Sequence, residues 1–261
     1  METPQRARPC PGCRDGEALD FAFSMAFQPI VDLRSRTVFA YEALVRGPDG
    51  QPAAEVLAKV TERNLYAFDQ RCRVRAIAAA TAAGIVPTGA KLSINFLPNA
   101  VYSPAACIQE TLKAAAANGF PTDRLIFEFT ENEKMVDPAH VALIIAAYRK
   151  MGFASALDDF GAGHAGLSLL AQFQPDIIKL DMELIRGIDA AAPRRLIVDS
   201  IVKLCASLGI TVIAEGVETL AELAVLQELG VSLIQGYLLA HPAFEALPPV
   251  RYPRETKSIA A

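Results

Sequence analysis

A series of apolar runs of strand length each ends in a residue able to do chemistry: Glu42, Asn95, Glu128, Asp158 with Asp159, Lys179, Glu215 and Gln235. Taken alone, any of these acids reads as a helix cap or a solvated loop residue. Seven strand ends in succession do not. Brought to one rim, the carboxylates would repel one another strongly unless a cation neutralised them. The set is carboxylate plus one amide oxygen, with no Cys and no His, and such hard donors select Mg²⁺ or Mn²⁺ over zinc or copper. Adjacent Asp158 and Asp159 could place oxygens on two ions, an arrangement suited to in-line attack at phosphorus.

The elements that must position these residues alternate. Strands are expected at Ala26–Val31, Val38–Val45, Lys91–Phe96, Arg124–Phe129, Ala154–Asp158, Ile177–Leu180, Thr211–Ala214 and Ser232–Tyr237. Helices are expected at Ala53–Arg63, Phe68–Ala83, Pro104–Asn118, Pro138–Met151, Pro193–Leu208 and Leu220–Leu229. Ser103-Pro104 and Asp137-Pro138 each set a cap before an N1 proline, and Thr219 with Glu222 makes a capping-box pair. Asn118-Gly119, Gly152 and Gly230 stand where helices should stop. Strands alternating with helices give a parallel sheet. Eight of them in 261 residues imply an α/β fold closed as a (β/α)8 TIM-type barrel, whose active site lies at the strands' C-terminal ends. The first two strands are separated only by residues 32–37, too few for a crossover helix. The first strand should therefore be antiparallel.

The motifs around the strand ends resemble the EAL family of cyclic-di-GMP phosphodiesterases. Phe27-Gln28-Pro29-Ile30-Val31-Asp32 resembles its opening strand, and Glu42-Ala43-Leu44-Val45-Arg46 its namesake signature. Asn95, Phe127-Glu128-Phe129-Thr130-Glu131, Asp158-Asp159-Phe160-Gly161, Lys179-Leu180-Asp181, Ala214-Glu215-Gly216-Val217-Glu218-Thr219 and Gln235-Gly236-Tyr237-Leu238 follow in the family's order and spacing. The similarity runs from about Phe23 to Pro242.

The resemblance implies an enzyme that hydrolyses cyclic-di-GMP to linear pGpG with one or two Mg²⁺ or Mn²⁺ ions. It implies that Glu42, Asn95, Glu128 and Asp158 hold one ion, with Asp158 bridging to a second beside Asp159 and Glu215. Lys179 would orient or deprotonate the attacking water. Arg46 would meet a substrate phosphate, and Gln28 and Gln235 would contact substrate or hold the site. Glu131 would brace the loop after Asp159, which in this family links the site to a dimer interface, so a homodimer is expected. The chain departs from the family in having Gly47 after the signature arginine where Trp is common, and Ala162, His164 and Ala165 in a loop where Thr, Tyr and Ser are common. No ligand position is lost. A catalytically silent cyclic-di-GMP receptor is the alternative, and such domains usually lack a ligand or the lysine.

The totals agree with a soluble, cytoplasmic enzyme. Hydrophobic residues make up 52% of the chain, charged residues 21%, and the net charge is −4. A large core is therefore expected and disorder is not. A binder of nucleic-acid polymer would need a basic face. No apolar run reaches membrane-spanning length, and the start lacks a secretory signal. Residues 1–20 read as a flexible N-terminal segment and 21–261 as the barrel domain. No sensor or cyclase segment is evident, so control is expected from that segment, a dimer or a separate regulatory protein. Cys10-Pro11-Gly12-Cys13 is a CxxC, but no second ligand pair follows it. Gly161-Ala162-Gly163-His164-Ala165-Gly166 is a literal GxGxxG, yet Asp158 and Asp159 would face a pyrophosphate with two negative charges. Asp159-Phe160-Gly161 lacks the catalytic loop of a kinase. His140, His164 and His241 are scattered, and no His-Asp dipeptide suggests the other class of cyclic-di-GMP phosphodiesterase.

Overall fold

The computed structural model describes residues 19–98, 101, 103–130, 138–163 and 166–253. Nine strands form one sheet: β1 (Ser24–Asp32), β2 (Thr37–Arg46), β3 (Lys91–Asn95), β4 (Leu125–Thr130), β5 (Ala154–Phe160), β6 (Ile177–Leu180), β7 (Thr211–Ala214), β8 (Leu233–Ile234) and β9 (Ala243–Phe244). β2 through β8 run parallel in sequence order. β1 closes the barrel by pairing antiparallel with both β2 and β8. β9, which the sequence does not announce, adds two residues beside β1.

The reversed first strand follows from turn chemistry. Asp32 Oδ1 accepts from Arg34 N at 2.9 Å and its Oδ2 accepts from Ser35 Oγ at 2.9 Å, so the chain turns within residues 32–37. Gln28 then lies directly opposite Glu42.

Strand alternation builds the barrel interior in layers. Ile30, Ala40, Ile126, Ala156, Ile177, Ile213 and Leu233 form a buried apolar plug. Two residues further toward the mouth on the same strands, or just past their ends, come Gln28, Glu42, Glu128, Asp158, Lys179, Glu215 and Gln235. The alternate residues face outward and pack under the helices in a second core, which includes Leu92, Ile94, Phe127, Phe129, Ile178 and Ile234.

Two expected helices differ. The helix begun at Ala53 stops at Leu57. Beyond it, Asn64 Oδ1 accepts from Thr61 N at 2.7 Å and Asn64 Nδ2 donates to Lys59 O at 3.1 Å, offering that backbone an alternative to helical bonds. The helix from Pro104 is interrupted at Ile108 into Pro104–Cys107 and Gln109–Ala117, where Arg73 Nη1 donates to Cys107 O at 3.5 Å. Ser103 stands at the N-cap, but its side chain makes no capping bond. The capping box is formed: Thr219 Oγ1 accepts from Glu222 N at 3.1 Å, and Glu222 Oε2 accepts from Thr219 N at 3.0 Å. No helix among the described residues is long and apolar enough to cross a membrane.

Candidate functional site

Lys179 lies at the centre of the layer above the plug, with no exposed surface. Its Nζ is 2.6 Å from Glu215 Oε1, 3.1 Å from Glu128 Oε2, 3.1 Å from Asp158 Oδ1 and 3.5 Å from Glu42 Oε2. Burial disfavours the ammonium, but Asp158, Glu128, Glu215 and Glu42 together outweigh it and hold the proton more firmly than usual. One ammonium does not neutralise this many acids. Burial, opposed by Lys179 and reinforced by Glu42 and Asp158, pushes the Glu128 carboxyl up to about 8. Burial, with Asp158 close by, raises Glu215 well above the usual carboxylate range despite Lys179. Asp159 is pushed up to about 6 by burial, Asp158 and Asp181.

Polar neighbours hold the acids in place. Gln235 Nε2 donates to Glu42 Oε2 at 2.7 Å, and Asn95 Nδ2 reaches Glu42 Oε1 at 3.3 Å. Gln28 Nε2 donates to Ala240 O at 3.3 Å, and Gln28 Oε1 accepts from Gln235 Nε2 at 3.4 Å. Gln235 Oε1 is buried without a hydrogen-bond partner among the described residues. Asp159 sits at φ 54°, a left-handed conformation rare outside glycine. There its backbone N–H donates to Asp158 Oδ1 at 2.9 Å.

Two triads offer carboxylate oxygens within 4.8 Å of one another: Glu42, Glu128 and Asp158, and Asp158, Asp159 and Glu215. Asp158 belongs to both. The donors are all oxygen, and burial together with neighbouring carboxylates makes Glu128, Asp159 and Glu215 hold their protons more firmly than usual. Both features fit hard divalent ions. Above the acids opens a cavity of about 320 Å³ whose lining includes Gln28, Glu42, Asp159, Glu215, Gln235 and Tyr237. The half-exposed Tyr237 ring stacks on His241 with centroids 4.1 Å apart. Asp181 belongs both to the site and to a helix cap. It lines this cavity, and its Oδ1 caps the following helix by accepting from Glu183 N at 2.7 Å.

One expected site residue stands apart. Arg46 borders a separate, mostly apolar cavity of about 530 Å³, where it meets the site only through Asn95, and its Nη1 donates to Val45 O at 2.7 Å. It sits four residues beyond Glu42 on β2. Glu131, His164, Cys10 and Cys13 lie outside the described residues. His140 contacts the Val101 carbonyl, away from the acids.

Sequence reasoning missed Ser93. Its fully buried hydroxyl donates to Glu128 Oε1. The signal was available in the alternation of β3, where Ser93 points the same way as Asn95. Ser93→Ala is expected to cost metal-free protein roughly 0.5–1.5 kcal/mol, the net worth of a typical intramolecular hydrogen bond. Urea unfolding in chelator would measure it, and an unchanged midpoint would mean that the hydroxyl does not hold the carboxylate.

The family model described as the EAL domain matches residues 17–242. The blue light- and temperature-regulated antirepressor BluF of Escherichia coli is 35% identical over 231 residues, covering 88% of this chain and 57% of its own. Cyclic di-GMP phosphodiesterase RocR of Pseudomonas aeruginosa is 34% identical over 152 residues, 58% of this chain and 38% of its own. This chain thus spans about half the length, or less, of the curated relatives it matches. Among solved structures, a standalone EAL protein of Vibrio cholerae O395 in its c-di-GMP-bound form superposes with a TM-score of 0.86 at 51% identity, covering 90% of this chain and 98% of that one. Klebsiella pneumoniae BlrP1 in a manganese/cy-diGMP complex superposes with a TM-score of 0.79 at 38% identity, covering 88% of this chain and 58% of that one.

Proposed function

The chain belongs to the EAL domain family, and on that premise we propose that it is a metal-dependent phosphodiesterase that hydrolyses cyclic-di-GMP to linear pGpG. The observation that carries this reading is the buried Lys179 among four carboxylates at the mouth of the barrel. Glu42, Asn95, Glu128 and Asp158 would hold one Mg²⁺ or Mn²⁺ ion, and Asp158, Asp159 and Glu215 a second. Such ions, when bound, supply Lewis acidity at phosphate oxygens and a more acidic water. In the reaction a water oxygen bonds to phosphorus, the P–O3′ bond breaks, and the 3′ oxygen takes a proton. Lys179, held charged, orients the water by donating to it. Glu215 lies 2.6 Å from that ammonium, and it is the acceptor assigned to the water's proton. Gln235 fixes Glu42, Gln28 accepts from Gln235, and both line the cavity that takes the substrate. Arg46 reaches a substrate phosphate from the rim, and Glu131 braces the loop after Asp159.

Incubating the pure protein with cyclic-di-GMP and Mn²⁺ or Mg²⁺ tests the reading. Linear dinucleotide should accumulate and chelator should stop it. Tight binding of cyclic-di-GMP with intact metal and no product would instead identify a silent receptor, the reading that similarity to an antirepressor favours. Full metal retention by the site predicts stabilisation as well. At a hundredfold excess over Kd, Mn²⁺ should add about 2.7 kcal/mol, or roughly 5–10 °C in Tm for a domain this size. A melting curve that ignores both metal and chelator would sink the metal assignment.

A homodimer and a separate regulatory protein belong to the same proposal, as does a cytoplasmic location. An exposed apolar groove supports the dimer reading: Leu167, Leu196, Ile197 and Leu204 line it beside Gly161 and Gly163.

A further inference from the structure

We propose that the buried Asp69–Arg73 pair, outside the ring of acids, is a positioning device that sets the metal-ligating geometry of Asn95. The inference rests on the metal assignment proposed above. Both residues lie on the helix Leu65–Ala82 and are almost wholly buried. Arg73 Nη2 donates to Asp69 Oδ2 at 2.7 Å, Arg73 Nε approaches Asp69 O at 3.4 Å, and Arg73 Nη1 approaches Cys107 O at 3.5 Å. The other Asp69 oxygen, Oδ1, leaves the helix and accepts from Leu97 N at 3.0 Å.

Removing two charges from water is costly, and an apolar pair of the same volume often gives equal or greater stability. The pair therefore calls for a reason other than stability, and Leu97 supplies it. Asn95 is exposed at the rim, and among the described residues its side chain's one hydrogen bond is the 3.3 Å contact to Glu42. Little local packing fixes it. Its backbone is fixed instead by the next two residues. Phe96 N donates to Glu128 O at 2.8 Å, and the Phe96 ring wedges between Phe127 and Phe129, 5.8 and 5.9 Å away. Leu97 N is tied to Asp69. Arg73 aims that carboxylate by occupying its second oxygen and anchoring to the Cys107 carbonyl. The chain leaving β3 is thus held on one side by the barrel and on the other by the helix.

Two paired variants separate this role from a merely structural one. Asp69→Leu with Arg73→Met removes both charges and the acceptor. Asp69→Asn with Arg73→Met removes both charges but keeps an oxygen for Leu97 N. Calorimetry with Mn²⁺ alone, without substrate, should show affinity falling about ten- to hundredfold in the first variant, the usual cost of losing an outer-shell support. The second should stay close to the unaltered protein. Equal affinity in the first variant, or equal loss in both, would overturn the proposal. Hydrogen exchange on the unaltered, metal-free protein decides independently of whether the variants fold. The Leu97 amide should be protected like that of Ile94, and exchange at the rate of an open loop would also overturn the proposal. If the unaltered protein takes up no divalent ion, the phosphodiesterase reading fails, while Leu97 protection still judges the brace.

Discussion

Lys179→Met should cut turnover of cyclic-di-GMP by about 10²–10⁴-fold, the range lost with a positioned acid–base group, while divalent-ion affinity stays the same or tightens. The opposite directions follow from the contacts. In the metal-free protein Lys179 Nζ is the counter-charge for Glu42, Glu128, Asp158 and Glu215. Removing one partner of a buried charge cluster costs roughly 3–5 kcal/mol, because uncompensated charge is left behind. In chelator the variant should therefore melt well below the unaltered protein. Mn²⁺ replaces the missing positive charge, so the variant's Tm should rise more on adding the ion. Single-turnover hydrolysis and calorimetry on one preparation would decide. A normal rate at saturating metal removes Lys179 from the mechanism. Metal affinity falling in step with the rate would make it a structural residue.

Glu128→Gln should abolish hydrolysis, by about three orders of magnitude or more, the equivalent of several kcal/mol of lost transition-state stabilisation. It should do so without unfolding the protein. The amide can turn its oxygen to Lys179 and its NH₂ to Ser93, whose hydroxyl accepts as readily as it donates. The pH dependence carries a definite sign. Burial raises the folded-state carboxyl to about 8 from an ordinary 4.5, so folding takes up a proton between those values. That contribution is fully present below the ordinary value and is lost as pH rises through the folded one. Above pH 8, metal-free Glu128→Gln should match or exceed the unaltered protein in stability, and its stability should fall less steeply from pH 5 to 8. Denaturant melts across pH in chelator measure both. Residual turnover near the normal rate, with metal restored, would contradict the ligand role.

The barrel and its acids were legible because a charged residue closing an apolar parallel strand has one place to go, the mouth. Each strand end thus named its own site residue, from Glu42 to Gln235. The hairpin at residues 32–37 was legible because its length forbids a helix. Residues whose contacts come from a neighbouring element were not legible. Ser93 is an ordinary strand residue until Glu128 is known to lie across from it. Asp69 and Arg73, four apart on a helix, look like a solvated surface pair, and only tertiary packing shows them buried. Arg46 was expected at a substrate phosphate, and four residues along β2 carry it past the layer of the acids. The stretch after Leu57 was expected to stay helical because its composition allows it, and the Asn64 side chain overrides that preference.

The direction of β1 has a topographical consequence. In a barrel whose strands all run one way, the polypeptide enters at the floor, with the full height of the barrel between its first residue and the chemistry. Here Ser24 pairs with Arg46, at the end where β2 arrives. The entry point is thus on the same side as Glu42 and Lys179, and Phe21 and Phe23 lie there against Phe68. Whatever is joined ahead of Leu19 sets out from the rim and not from the base. Reversing a single strand turns the start of β1 from the remotest address on the barrel into a neighbour of its opening.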